Sequence, residues 1–172
     1  MTTQSERSRE DETSPPHHHR RPKQLLDLVG KDLGASEVQV VTQAEVNQFA
    51  DITKDHQWIH VDVERAKAGP FGTTVVHGFF TLALVPRLLQ DILEVKEFSM
   101  GVNYGLDRVR FIRPLPPGTE IQGTATLVSA EPIPATDDNP AEGVQAKASV
   151  VIEFASESQP CCIAEMLFRY YD

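Results

Sequence analysis

Two short stretches of this chain carry residue types that can move a proton on or off water. In Thr53-Lys54-Asp55-His56-Gln57-Trp58-Ile59-His60-Val61-Asp62, the carboxylate of Asp55 and the imidazole of His60 stand five residues apart. Neighbours on a helix face are three or four apart, so the two groups converge only if the chain leaves the helix between them and loops back. A carboxylate and an imidazole aimed at one point suit the positioning and deprotonation of water. Spacing alone favours the plainer reading, a surface loop with scattered ionisable groups. The second stretch, Gly72-Thr73-Thr74-Val75-Val76-His77-Gly78-Phe79, runs into an apolar helical segment. It sets the Gly78 amide at a helix N-terminus, where an N–H without an intrahelical acceptor can meet an anion or a developing oxyanion. Here too a plainer reading stands: Gly78 allows close packing, and His77 is a structural histidine.

Positioning these groups requires helices before and after them. Thr42-Gln43-Ala44-Glu45 is a capping box, a hydroxyl at the N-cap with a glutamate three residues on. Val46, Phe49 and Ala50 give the helix that follows its apolar stripe, and it fades near Thr53. A short helical piece, Val63 to Ala68, stops at Gly69-Pro70. From Phe79 to Leu93 nearly every residue is apolar in the first half, which predicts one long helix buried almost all round and kinked at Pro86. Before all of these, Leu25, Leu26, Leu28 and Val29 suggest a short helix ending near Gly30, and Val38 to Val41 a strand.

After the long helix the period becomes two. Val144, Ala146, Ala148, Val150, Ile152 and Phe154 alternate with polar residues. Ile121, Ala125 and Leu127 do the same, as do Cys162, Ala164, Met166, Phe168 and Tyr170. Residues 106–113 form a further strand ended by Pro114, Pro116 and Pro117-Gly118, and a Pro-rich loop spans Glu131 to Gly143. The order predicts an α+β fold in which an antiparallel sheet wraps a central helix. An open sheet edge and a partly bare helix then call for a second copy of the chain, a homodimer.

The 172 residues suit one domain. Residues 1–22, polar and Pro-broken, read as a disordered tail, and 23–172 as the folded domain. His17, His18 and His19 lie in the tail without a fourth ligand and read as solvated. The tail holds four acids (Glu6, Glu10, Asp11, Glu12) and four bases (Arg7, Arg9, Arg20, Arg21), so the net charge of −9 belongs to the folded part. That weighs against a nucleic-acid partner, which needs a basic footprint. No apolar run approaches the roughly 20 residues of a membrane span, and the first residues form no secretory or transit signal, which predicts a cytoplasmic protein without membrane partners. Cys161 and Cys162 are adjacent, have no partner elsewhere for a disulfide framework, and read as strand residues.

Taken together, the two stretches resemble the MaoC-like dehydratases, also known as (R)-specific enoyl-CoA hydratases. The branch is that of nodulation protein N-like proteins and mycobacterial 3-hydroxyacyl-thioester dehydratases. The family pattern Gly-Asp-x-Asn-Pro-(aliphatic)-His-x-Asp appears here as Lys54 through Asp62, and the family's His-Gly matches His77-Gly78. Asn103-Tyr104-Gly105 and Val109-Arg110-Phe111 also resemble this branch. Lys54 replaces the small glycine, and Gln57-Trp58 replaces Asn-Pro. The resemblance implies a hotdog fold, usually dimeric, that adds water to trans-2-enoyl thioesters to give (R)-3-hydroxyacyl thioesters.

It also implies residue roles. Asp55 and His60 are the catalytic pair, Gly78 the oxyanion amide, and Gln57 a hydrogen-bonding group at the substrate. Tyr104 and Phe79 are expected at the acyl pocket, and Trp58 beneath the loop or at the acyl tunnel. Coenzyme A enters as part of the substrate, or an acyl carrier protein takes its place. Its phosphates need cations, for which Lys67, Arg87, Arg108, Arg110 and Arg113 are candidates of equal standing. No metal or redox cofactor is expected. The rival readings are a hotdog thioesterase, a non-catalytic partner subunit of a heteromeric hydratase, and an acyl-CoA-binding regulator.

Overall fold

The computed structural model describes residues 20–137 and 140–172, so residues 1–19, including His17 to His19, lie outside the described residues. The last residues of the expected tail are placed: Arg20 bridges to Val95, and Pro22 already opens a 3-10 helix, Pro22–Leu28. Two short strands follow, β1 (Asp32–Ala35) and β2 (Gln39–Val40). The helices come next in sequence: α1 (Gln43–Thr53), α2 (Trp58–Val61), α3 (Val63–Lys67), α4 (Gly78–Ala83) and α5 (Val85–Ile92). Four long strands complete the chain: β3 (Met100–Phe111), β4 (Glu120–Ile133), β5 (Gly143–Phe154) and β6 (Gln159–Tyr171). The sheet runs β1-β4-β5-β6-β3, with β2 also on β4, and every pairing is antiparallel.

One face of the sheet is apolar because the alternation places Ile121, Ala125 and Leu127, then Val144 through Ile152, then Cys162 through Phe168 on the same side. They form one buried cluster with Leu25 and Leu28 of the 3-10 helix and with Val85, Leu88 and Leu89 of α5. Leu88 sits so close to the sheet that a Cβ at Gly123 would lie 2.9 Å from its own Cβ. Cys161 and Cys162 are buried strand residues, as expected. Burial pushes their thiols up to about 12 and about 11, so both stay protonated and unreactive at neutral pH.

Three expectations need correction. The single long helix is two: α4 ends at Leu84, whose N–H donates to Thr81 O, and α5 starts anew at Val85. Pro86 therefore falls in a first turn, where a missing N–H costs no intrahelical bond. The first half of this segment is not buried all round, since Phe79 is 73% exposed and Ala83 is exposed as well. The strand expected at 106–113 begins at Met100. Its glycines (Gly101 and Gly105) and two register shifts, at Asn103/Gly105 and Leu106/Arg108, break the alternation that would reveal it.

The helix-to-sheet contact at Gly123 gives a direct test. Gly123→Ala should drive a methyl into Leu88 and destabilise the fold by about 1–3 kcal/mol in urea unfolding. An unchanged midpoint would show that α5 has room to move off the sheet.

Candidate active site

The loop that carries Asp55 is built by ending α1 sharply. The capping box is complete: Glu45 N–H donates to Thr42 Oγ1 at 3.3 Å and Thr42 N–H to Glu45 Oε2 at 2.7 Å. At the other end Lys54 adopts a left-handed conformation, φ 65°. This is the position where the resembled pattern has glycine, and the geometry gives the reason: the chain must reverse here so that the next turn can swing Asp55 and His60 together. Asp55 Oδ1 accepts from the Gln57 N–H at 3.4 Å, and α2 follows with His60 in its last turn.

His60 is 7% exposed. Its Nδ1 lies 2.6 Å from the carbonyl oxygen of Val75. A carbonyl only accepts, so Nδ1 carries the proton and Nε2 presents a lone pair. The same Val75 donates its N–H to Ile59 O at 2.9 Å, so one residue clips both the main chain and the ring of this turn. Burial lowers the proton affinity of His60 most. The Val75 carbonyl opposes that, His77 lowers it further, and Asp55 raises it. The net direction is below the usual 6.5, which leaves the ring neutral and able to accept a proton at neutral pH.

His77 is the residue whose place the sequence did not indicate. It is 2% exposed, and its ring stacks on that of His60 with centroids 3.8 Å apart. Its Nε2–H donates to the main-chain carbonyl of Asp55 at 2.9 Å, and Phe49 of α1, itself stacked on Phe80, supports its other side. A lone histidine before glycine offers no spacing signal that would reveal this contact. One carboxylate oxygen of Asp55 and one ring nitrogen of each histidine lie within 4.8 Å of one another. Two hydrogen bonds of about 2.8 Å meeting at a tetrahedral angle span roughly 4.6 Å, so a single water can bridge such groups. The same three groups invite comparison with a metal site. Stacked rings, however, send their in-plane lone pairs side by side, and one ion cannot lie in both ring planes at the roughly 2.1 Å that imidazole ligation needs.

Gly78, the next residue, opens α4, and its N–H has no acceptor within the helix. A Cβ there would come 2.9 Å from the Phe111 ring, so the glycine is also required by close packing. The other expected site residues divide. Gln57 is exposed at the start of α2. Trp58 packs beneath the loop: a Cβ at Gly69 would lie 2.9 Å from its ring, and the Arg65 guanidinium sits 4.4 Å from the ring's centre. Tyr104 is 54% exposed and carries the Arg169 guanidinium 3.4 Å over its ring. At the Asn103/Gly105 bulge it is Asn103, not Tyr104, that lines the groove beside α4. Of the cations, Lys67 pairs with Glu64 and Arg87 with Asp91, whereas Arg110 precedes, and Arg113 follows by two residues, the Phe111 that packs against Gly78.

A sheet packed on α5, with a carboxylate and a neutral imidazole at the entrance to α4, defines a hotdog-fold enzyme of the hydratase type. The chain belongs to the MaoC-like family: the MaoC like domain matches residues 25–145. It is 48% identical over 146 residues to 3-hydroxyacyl-thioester dehydratase Z of Mycobacterium tuberculosis, covering 85% of this chain and 93% of that protein. It is 47% identical over 105 residues to nodulation protein N of Rhizobium meliloti, 60% of this chain and 65% of that one. The fold matches the (R)-hydratase from A. caviae involved in PHA biosynthesis with a TM-score of 0.62 at 21% identity, over 81% of this chain and 94% of that one.

The strained residue at the loop's origin is testable by itself. Lys54→Gly should relieve a left-handed backbone that costs a non-glycine residue about 1–2 kcal/mol. After glycine's own entropic cost, a gain of about 0.5–1 kcal/mol in unfolding free energy is expected. A loss of stability would show that the Lys54 side chain holds the loop by contacts of its own.

Proposed function

We propose that this protein catalyses the reversible hydration of trans-2-enoyl thioesters to (R)-3-hydroxyacyl thioesters. The observation that carries the reading is the tautomer of His60 selected by the Val75 carbonyl, in a ring that has a nitrogen within 4.8 Å of an Asp55 carboxylate oxygen and that stacks on His77, the residue before Gly78. The close relative named as a 3-hydroxyacyl-thioester dehydratase supports the same reaction class.

In the hydration direction Asp55 and the His60 Nε2 hold a water between them. As its oxygen bonds to C3, one proton passes to Nε2, and the C2–C3 π electrons move onto the thioester oxygen. The Gly78 N–H stabilises the negative charge that grows there. The imidazolium is held meanwhile by the Val75 carbonyl and the Asp55 carboxylate. Collapse of the enolate takes the proton from Nε2 to C2, so the elements of water are added and the histidine returns to its starting state. Dehydration runs the same steps backward. His60 cannot begin as the acid in hydration, because its resting form is neutral.

The rest of the site follows from this chemistry. An apolar groove of about 220 Å³, lined by Leu82, Ala83, Val85, Pro86, Leu106 and Met166, begins one turn beyond Gly78 and suits the acyl chain. Coenzyme A, or an acyl carrier, is the handle, and Arg110 and Arg113, close in sequence to Phe111, are the candidates for its phosphates. No resident cofactor enters the scheme, and the reading places the reaction in the cytosol. The outer edge of β3 and the flank of α4 expose Phe79, Met100, Leu106, Phe111 and Ile112, which favours a homodimer paired through this face.

Purified protein should bleach the enoyl-thioester absorbance of crotonyl-CoA or a longer trans-2-enoyl-CoA. Asp55→Asn and His60→Asn should each cost roughly a hundredfold or more in kcat while remaining folded. Release of free thiol from saturated acyl-CoA would favour a thioesterase. No turnover of any chain length by the homo-oligomer would favour a partner subunit.

A further inference from the structure

The hydrogen bond from the His60 ring to Val75 works only if the helical turn carrying the ring and the loop segment carrying the carbonyl keep a fixed separation. One side chain outside the catalytic pair bridges the two. Gln43, the first residue of α1, donates from Nε2 to the His60 carbonyl at 2.8 Å and to Asn47 Oδ1 at 2.9 Å. Its Oε1 accepts from the Thr74 hydroxyl at 2.5 Å. The His60 carbonyl fixes the orientation of the amide, because a carbonyl only accepts and so must face the Gln43 Nε2. Thr74 is 3% exposed and immediately precedes Val75. A closed circuit results: from the His60 main chain through Gln43 to Thr74, along the chain to the Val75 carbonyl, and back to the His60 ring.

Every polar atom of the Gln43 amide is used in this circuit, and the capping box at Thr42 fixes the helix start from which the side chain reaches. Loss of the amide or of the hydroxyl leaves a buried partner unsatisfied and lets the two segments separate. The imidazole then loses the acceptor that selects its Nδ1–H form, and Nε2 no longer faces the water as a bare lone pair.

We propose that Gln43 and Thr74 are positioning residues for the hydration reaction, setting the orientation and tautomer of His60 through the Val75 carbonyl. The proposal rests on the reading of His60 as the base. A displacement of about 1 Å at a reacting group can cost on the order of a hundredfold in rate, so the effect should be large although neither residue touches substrate.

The test compares Thr74→Val, Thr74→Ser, Gln43→Leu and the Gln43→Leu/Thr74→Val double variant in the full-length protein, by enoyl-CoA hydration and by 15N NMR of the His60 ring. The wild type should show His60 as Nδ1–H alone. Thr74→Val and Gln43→Leu should each lose about tenfold or more in kcat with KM little changed, and admit the Nε2–H form. The double variant should be no worse than the poorer single, since both break one circuit. Thr74→Ser, which keeps the hydroxyl, should restore wild-type kcat and tautomer. Wild-type kcat and a pure Nδ1–H ring in Gln43→Leu or Thr74→Val would overturn the proposal, even if their melting temperatures fell. If Thr74→Val fails to fold, the half-buried Gln43 carries the same test. If the wild type hydrates no enoyl-CoA, the functional reading fails, and the NMR arm still decides whether the pair governs His60.

Discussion

The hydrogen bond between the Val75 carbonyl and His60 Nδ1 decides what this site can do, and the surrounding structure can be understood as the means of keeping it. A buried imidazole has two tautomers, and only one leaves Nε2 with a lone pair for a water. The carbonyl selects that form, while burial makes the charged ring less favourable and so keeps it neutral before reaction. In the proposed mechanism the bond also stabilises the imidazolium once the proton has arrived, so a single contact would serve both the resting base and the charged intermediate.

Keeping that contact calls on elements distant in sequence. α1 ends on a left-handed lysine so that the chain can turn; α2 is a single turn that points His60 inward; and Val75 holds α2 by its N–H as well as its carbonyl. His77 ties the Asp55 main chain to the same centre, with Phe49 behind it. Gly78 follows at once, so the amide that opens α4 and the stacked histidine come from one short run. The sheet contributes through α5, pressed onto Gly123, which fixes where the helical segment begins and hence where Gly78 lies.

Much of this could be read from residue types and spacing. The capping box at Thr42 and Glu45, the strands at 144–154 and 162–170, and the need for a turn between Asp55 and His60 each rest on local rules that the fold obeys. What spacing could not supply was long-range. Nothing in the sequence pairs His60 with Val75 or Gln43 with Thr74, because those bonds join segments 15 and 31 residues apart. The early half of β3 was hidden because its glycines and bulges erase the period of two. The same bulge turned Tyr104 to the Arg169 side of the sheet. Pro86 signalled an interruption but not its form: the helix restarted, which moved the proline into a first turn. The bare flank of α4 reflects a surface that a single chain does not cover.

The central claim is that His60 acts from its neutral state, and the pH dependence of kcat/KM for enoyl-CoA hydration by the wild-type protein tests it most directly. This quantity follows the free enzyme. Because the His60 proton affinity is lowered from 6.5, the account predicts a rate that is level through neutral pH and falls only on the acid side, with a midpoint below 6.5. A rate that rises as the solution is made acid would show that the charged ring is the working form, and an acid limb centred above 6.5 would show a proton affinity raised by its surroundings; either would contradict the account.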